Sequence, residues 1–233
     1  MIRAILFDMG GTLDGDGGHW LERFLALYRS FGIELPRASV RDAFDAAERR
    51  SSTDEEMASA TFGKMIELHV QWQLDRLGLT NAKLKQHLAN SFIEPVRKAA
   101  IENARLLATL VERGFKLGVV SNGCGNVAQL CQEFGYSPFL SVIVDSRRVG
   151  LFKPDPAIFL HAVQEMKIAP EASLMVGDSF ERDIAPAKKI GMKTAWLAGN
   201  LSRDSYDPSL VDIPLRQLSD LPAALSELEP ARA

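Results

Sequence analysis

Asp8, Ser121, Asn122, Lys153, Asp178 and Asp183 each stand at, or a few residues beyond, the end of a short apolar run of this chain. Asp8 follows residues 2–7 and opens the string Asp8-Met9-Gly10-Gly11-Thr12-Leu13-Asp14. Ser121-Asn122-Gly123 follow residues 115–120, and Lys153 comes after the run 139–144. Asp178 follows the run 173–176, and Asp183 lies five residues further on. If Asp8 and Asp178 converge, their charges repel and one carboxyl must hold its proton, unless a cation sits between them. Magnesium suits such a place, because it takes one or two carboxylates and keeps its other positions for water and substrate oxygens. Gly10 and Gly11 let the backbone approach a ligand closely. Ser121 and Lys153 are suited to anionic oxygens. The ligand this set implies is a phosphoryl group, with Asp8 placed to attack it.

Convergence needs a scaffold, and the spacing supplies one. The runs 2–7, 115–120, 139–144, 173–176 and 194–197 are bounded by Gly, Asp or Ser and separated by helical-looking sequence. That alternation predicts an α/β fold with a parallel sheet built from βαβ units, whose ligands gather at the carboxyl ends of the strands. Residues 212–215 read as a last short strand and 221–228 as a closing helix. Pro95 is expected in the first turn of a helix ending before Gly114. Asp155-Pro156 opens a helix over 157–166, and another over 181–190 ends at Gly191. Between about residues 15 and 90 there is no strand pattern, only helical periodicity. Phe24, Leu27, Tyr28 and Phe31 recur at helical spacing, as do Met65, Leu68 and Trp72. The expected division is a core of residues 1–14 and 95–233 and an all-helical insert of residues 15–94, with the glycines of 15–18 as a hinge.

Composition excludes several classes. The 233 residues give about 1.6 domains' worth of chain, 46% hydrophobic and 24% charged, which is ordinary for a globular protein. Lys+Arg 27 against Asp+Glu 30 leaves a net charge of −3, so no bulk basic field is available for nucleic acid or an acidic membrane. No apolar stretch approaches the roughly 20 residues that span a bilayer. The run 2–7 stops at Asp8, too short for a signal-peptide h-region. Only Cys124 and Cys131 are present, which fits a reducing, cytoplasmic setting better than a disulfide framework.

The strings LFDMGGTLD, VVSNG, GLFKPDPAIF and MVGDSFERD resemble, in order and at about the spacing, the four motifs of the haloacid dehalogenase-like superfamily. The following IAPAKKIGMKTAWL resembles the usual continuation after the fourth motif. The resemblance implies a Rossmann-like parallel-sheet core with helices on both faces and a mobile helical cap inserted between the first two motifs. It also implies a magnesium-dependent hydrolase, most often a phosphatase of small phosphorylated substrates working through a phosphoaspartate. Carried over residue by residue, Asp8 is the nucleophile and a magnesium ligand, with the Gly10 carbonyl and Asp178 as further ligands. Ser121, the backbone of Asn122, and Lys153 hold the phosphoryl oxygens. Asp183 stands behind them, fixing a metal-bound water or orienting Lys153.

Position 10 departs from the family pattern. Phosphatases of this kind usually carry a second aspartate two residues after the nucleophile, to protonate the leaving group and later activate water. Here the residue is Gly10. Loss of a positioned acid/base costs on the order of 10²–10⁴ in rate. The alternatives are a haloacid dehalogenase, which attacks a halogenated substrate and needs no metal; a phosphonatase, which needs a cap lysine of which only Lys64, Lys83 and Lys85 are on offer; and a metal-binding member without turnover. Gly-Asp-Ser with Asp183 favours a metal site over dehalogenation. Phosphate-transferring mutases depend on the missing aspartate. Of the remaining residues, His19 is placed to touch substrate, while Trp20 reads as packing at the cap edge. Asp14 and Asp16, candidates to replace the missing acid, read as a solvated turn. His69 and Trp72 read as core, Cys124 as a small buried thiol, and Arg49-Arg50 as a solvated helix end. Substrate identity and oligomeric state are not inscribed in these patterns.

Overall fold

The computed structural model describes residues 1–15, 17–199 and 206–228. Six parallel strands form one sheet in the order β3-β2-β1-β4-β5-β6. They are β1 (Ala4–Phe7), β2 (Lys116–Ser121), β3 (Leu140–Asp145), β4 (Ser173–Gly177), β5 (Lys193–Leu197) and β6 (Ile213–Leu215). Every run expected as a strand is one. Burial alternates along them as a two-sided sheet requires: Ile5 and Phe7 enter one apolar cluster, and Ala4 and Leu6 the other. On one face lie α7 (Ala157–Met166) and the short α8 (Ala185–Lys189). On the other lie α5 (Val127–Glu133), α9 (Leu221–Leu228) and the second half of α4 (Ala82–Glu112). α6 (Ser146–Val149) is a single turn after β3.

Strand order reverses at β1. Successive strands add to one side of it as β2 and β3, and to the other as β4, β5 and β6. Phe7 is in register with Val119 of β2 and Val176 of β4, so the chain after β1 enters the crevice where ligands of such sheets bind.

Between β1 and β2 lies the helical region: α1 (Trp20–Ser30), α2 (Arg37–Ser51), α3 (Phe62–Leu77) and the first part of α4. Each helix buries one stripe, with Phe24 and Tyr28, Val40 and Phe44, and Met65 and Ile66 in the same apolar cluster. The last member departs from expectation. Pro95 does not open a helix; it lies inside α4, a single helix of 31 residues. Pro95 is exposed, so the Ser91 carbonyl it leaves without a helical donor is also at the surface, where water can serve it. Phe92 and Val96 on either side are buried and hold the helix together across the break. The expected helix over 181–190 is also modified: a wide turn, Phe180–Ile184, precedes α8, and Gly191 ends it at φ +87°.

The glycine segment expected as a hinge is held at one point. Gly17 donates to the Gly11 carbonyl at 2.8 Å, and a Cβ on it would stand 2.6 Å from the Leu197 carbonyl oxygen. Asp16, one of the candidate acids, lies outside the described residues. Among the described residues no helix is long and apolar enough to cross a membrane.

Candidate active site

The rim beyond β1 and β4 carries a buried ionic cluster. Lys153 Nζ donates to Asp8 Oδ1 at 2.5 Å and to Asp183 Oδ1 at 2.6 Å. Asp183 Oδ2 accepts from the Ser179 backbone N–H at 3.1 Å, and Thr12 Oγ1 donates to Asp8 Oδ2 at 3.5 Å. Asp8, Asp178 and Asp183 each offer an oxygen within 4.8 Å of the others. All three carboxylates are buried, with one buried lysine among them. Asp178 Oδ1 is buried without a hydrogen-bond partner. Burial, then the charges of Asp8 and Asp183, push the Asp178 carboxyl up to about 8. Asp183 is pushed up to about 6, mainly by burial, against the pull of Lys153. Burial alone would lower the Lys153 ammonium, but Asp183 and Asp8 more than reverse it and hold it charged. A buried acidic set with one orphaned oxygen and too little positive charge matches what a divalent cation needs.

Local backbone explains why these side chains arrive together. Met9–Leu13 is a wide turn, and Gly11 within it has φ +90°. A Cβ on Gly11 would stand 2.4 Å from Asp178 Oδ2, so only glycine lets the turn lie against that carboxylate. Trp196 Nε1 donates to the Asp178 carbonyl at 2.9 Å and holds the β4 end in place. Lys153 is fixed from its backbone: Asn122 Oδ1 accepts its N–H at 2.8 Å and Asn122 Nδ2 donates to its carbonyl at 2.9 Å. Ser121 lines the adjoining cavity.

Gly10 does not need to be glycine. Its φ −77° and ψ 115° suit any residue, and a Cβ there would meet only Trp20 Nε1, at 3.8 Å. Asp14, in contrast, is not on a solvated turn. It is 2% exposed; Oδ1 accepts from the Gly11 N–H at 2.6 Å and Oδ2 from Trp20 Nε1 at 2.7 Å. Burial raises its carboxyl although Arg23 opposes. Both oxygens brace the turn against α1, while Asp14 also borders the cavity.

A cavity of about 120 Å³ lies over this rim, walled on the far side by the helical region. Trp20, Phe44, Glu48, Phe62 and His69 line it there, and Asp8, Ser121, Cys124 and Lys153 line it from the sheet. Trp20 therefore faces the site besides packing on Phe62 and Phe92. His69 is fully buried, as expected of a core residue, yet borders the cavity too. Trp72 packs in the core beneath the Arg50 guanidinium, 4.5 Å from its ring centroid. His19 lines the cavity while its Nδ1 accepts from the Leu21 N–H at 3.2 Å; burial, then the Arg182 charge, lower its pKa. The Cys124 thiol is pushed up to about 12, chiefly by burial, which makes it a poor nucleophile. Glu48 lies in no motif of the sequence, and Arg182 lies inside MVGDSFERD but is given no role by it. The wall is bolted to the sheet side by its loop 53–62: Arg147 Nη1 donates to the Asp54 carbonyl at 2.7 Å, Asn126 Nδ2 to the Ala60 carbonyl at 3.0 Å, and the Phe62 N–H to Glu133 Oε2 at 2.8 Å.

A lysine-bridged acidic rim at the switch point of a parallel sheet, under a helical insert, is the architecture of one class of hydrolases. Residues 2–191 match the haloacid dehalogenase-like hydrolase family, and the chain belongs to it. A glyceraldehyde 3-phosphate phosphatase of Methanothermobacter thermautotrophicus is 34% identical over 228 residues, covering 91% of this chain and 94% of that one. The haloacid dehalogenase-like hydrolase domain-containing protein 3 of Bos taurus is 28% identical over 222 residues, 88% of this chain and 86% of its own. Among solved structures, the L-2-haloacid dehalogenase of Xanthobacter autotrophicus with chloropropionic acid covalently bound superposes with a TM-score of 0.59 at 20% identity, covering 97% of this chain and 98% of that one. That last likeness is one of fold.

Proposed function

We propose that this hydrolase is a magnesium-dependent phosphatase of small phosphorylated metabolites, acting through a phosphoaspartate on Asp8. The observation that carries the reading is the orphaned Asp178 Oδ1 beside Asp8, in a cluster of three buried carboxylates where Lys153 is the buried cation among the described residues. Asp8, the Gly10 carbonyl and Asp178 are the residues that would hold the cation, which when bound neutralises charge on the phosphoryl oxygens. Asp8 forms a bond to phosphorus as the bond to the leaving oxygen breaks. Lys153 and Ser121, with the backbone of Asn122, bind the phosphoryl oxygens, and Asp183 keeps Lys153 turned toward them. Water then attacks phosphorus, releasing phosphate and restoring Asp8. Gly10 offers no proton to the departing oxygen, so substrates with good leaving groups, acyl and aryl phosphates, suit this site best. Residues 1–14 and 95–233 form the catalytic core in this reading, and residues 15–94 the cap that selects substrate. The free thiols of Cys124 and Cys131 support a cytoplasmic setting.

The test is turnover of acetyl phosphate and 4-nitrophenyl phosphate with magnesium and with excess chelator, alongside 2-haloacids. Magnesium-dependent phosphate release with a label trapped on Asp8 is the expected result. Dehalogenation that persists in chelator, or a label elsewhere with catalysis surviving Asp8→Asn, overturns the reading.

A further inference from the structure

Three polar side chains run end to end through the apolar interior of the helical insert and finish on the cavity wall. Tyr28 Oη donates to Gln73 Oε1 at 3.2 Å, Gln73 Nε2 lies 2.8 Å from His69 Nδ1, and His69 Nε2 lies 2.9 Å from Glu48 Oε1. Tyr28, His69 and Gln73 are at most 2% exposed. With the Gln73 amide oriented as it stands, the donors and acceptors run in one direction. The tyrosine hydroxyl takes the glutamine oxygen, which turns the amide N–H toward Nδ1 and leaves the imidazole proton on Nε2, donated to Glu48. Buried polar groups are costly unless paired, and this chain pairs each one to fix a single carboxylate.

That carboxylate borders the cavity and is half-exposed. Burial works against its ionisation, but His69, His19 and Arg182 outweigh this and hold it below the ordinary glutamate range. Among the described residues no lysine or arginine is within ion-pair distance of it. The rings of Trp20, Phe44 and Phe62 line the same cavity. An ionised carboxylate with no lysine or arginine at ion-pair distance, on the wall of a cavity lined by aromatic rings, is an environment that can receive an ammonium group, even with Arg182 bordering the same cavity.

We propose that Glu48 determines specificity for the leaving group, so that between phosphate esters of equal leaving ability the one whose leaving group carries an ammonium group binds best, with His69 as its positioning residue. The inference rests on the phosphatase reading of the rim. Its probes are phosphoethanolamine, 2-hydroxyethyl phosphate and phosphoglycolate, which share a two-carbon frame and end in an ammonium, a hydroxyl and a carboxylate. Each is measured as a competitive inhibitor of magnesium-dependent 4-nitrophenyl phosphate turnover, so that slow hydrolysis of alkyl esters does not obscure binding. The ammonium ester should bind about fivefold more tightly than the hydroxyl ester, the scale of one half-exposed ion pair, and the carboxylate ester most weakly. Glu48→Gln keeps an acceptor for His69 but removes the charge, and should bring the ammonium-to-hydroxyl ratio close to one; Glu48→Lys should invert the order. His69→Asn should lose part of the ratio. A ratio taken within one variant does not depend on how much of that variant folds. A wild-type ratio near one, or a fivefold ratio that survives Glu48→Gln, overturns the inference while leaving the phosphatase reading intact. No turnover of 4-nitrophenyl phosphate in magnesium removes the phosphatase reading, and this inference falls with it.

Discussion

The two sides of the cavity are built on different principles. On the sheet side, each functional side chain is held by several groups at once: Lys153 by two carboxylates and both faces of Asn122, Asp183 by Lys153 and Ser179, and Asp178 against a glycine with no room for a Cβ. On the helical side, aromatic rings meet at centroid distances of 4.6 to 6.4 Å, and one carboxylate hangs from a buried polar relay. Charges whose positions decide a bond-making step must be fixed in advance, because reorganising them during the reaction adds to its barrier. Apolar walls only need the right shape, and tolerate repacking at small cost. Sheet-side substitutions should therefore change rates by orders of magnitude, and wall substitutions by factors.

The largest effect expected is that of Asp8→Asn, which removes the proposed nucleophile and should lower kcat by about 10⁴-fold or more with the fold intact. Circular dichroism and a thermal melt serve as the fold control, and a loss under tenfold would place the chemistry elsewhere. Gly10→Asp tests the one sheet-side position that is loosely built. Its backbone suits aspartate and its Cβ has space, so the variant should fold, and should accelerate alkyl phosphates by up to about 10²-fold while changing aryl phosphates less. A well-folded, magnesium-binding variant with no gain on any leaving group would show that protonation does not limit the wild type.

The charge imbalance of the cluster makes a third prediction, on stability. The Asp178 carboxyl is raised from 3.8 to about 8 and that of Asp183 to about 6, so over this window the folded metal-free protein holds protons that the unfolded chain has released. Stability must then fall as pH rises from about 4 to about 8. In chelator the Tm at pH 8 should lie roughly 5 °C or more below that at pH 5. Magnesium should restore more at pH 8 than at pH 5, and Asp178→Asn should flatten the slope. Equal magnesium stabilisation at both pH values would contradict the assignment. The smallest effect belongs to the bolts of the wall. Arg147 also donates to the Thr53 and Cys124 carbonyls and to Glu55. Arg147→Ala should raise KM for aryl phosphates by about threefold to tenfold, the scale of one net hydrogen bond or so, with kcat nearly unchanged.

The same contrast explains what the sequence disclosed. Asp8 and Asp178 directly follow strands, with Asp183 five residues on, so strand order brings them to one rim, and Asn122 after β2 fixes Lys153 there. The wall needs several helices to agree. Glu48 comes from α2, His69 and Gln73 from α3 and Tyr28 from α1, and their only local trace is the four-residue spacing of His69 and Gln73. Asp14 was misread because its burial depends on Trp20 and Arg23, residues of a helix whose docking onto this turn no local pattern announces. Pro95 was misread because its effect on a helix depends on which side faces water: the exposed proline of α4 interrupts little, whereas a buried one would have ended the helix.

One helix passes from wall to sheet without a joint. Toward its start, Phe92 of α4 stacks on Phe24 with ring centroids 4.6 Å apart. Three turns on, Asn103 Nδ2 donates to the Leu13 carbonyl at 2.9 Å, at the end of the turn that carries Asp8. Tyr136 Oη donates to that same carbonyl at 2.8 Å, so the turn is clamped between a beam of about 46 Å and the body of the sheet. The other crossing is the glycine strap, pinned through Gly17. Besides these two covalent crossings, the contacts of loop 53–62 with Arg147, Asn126 and Glu133 hold the wall against the sheet. Pro95, with its missing hydrogen bond, lies on this beam between the wall and the Leu13 carbonyl, so the wall and the turn that begins at Asp8 share one continuous helix.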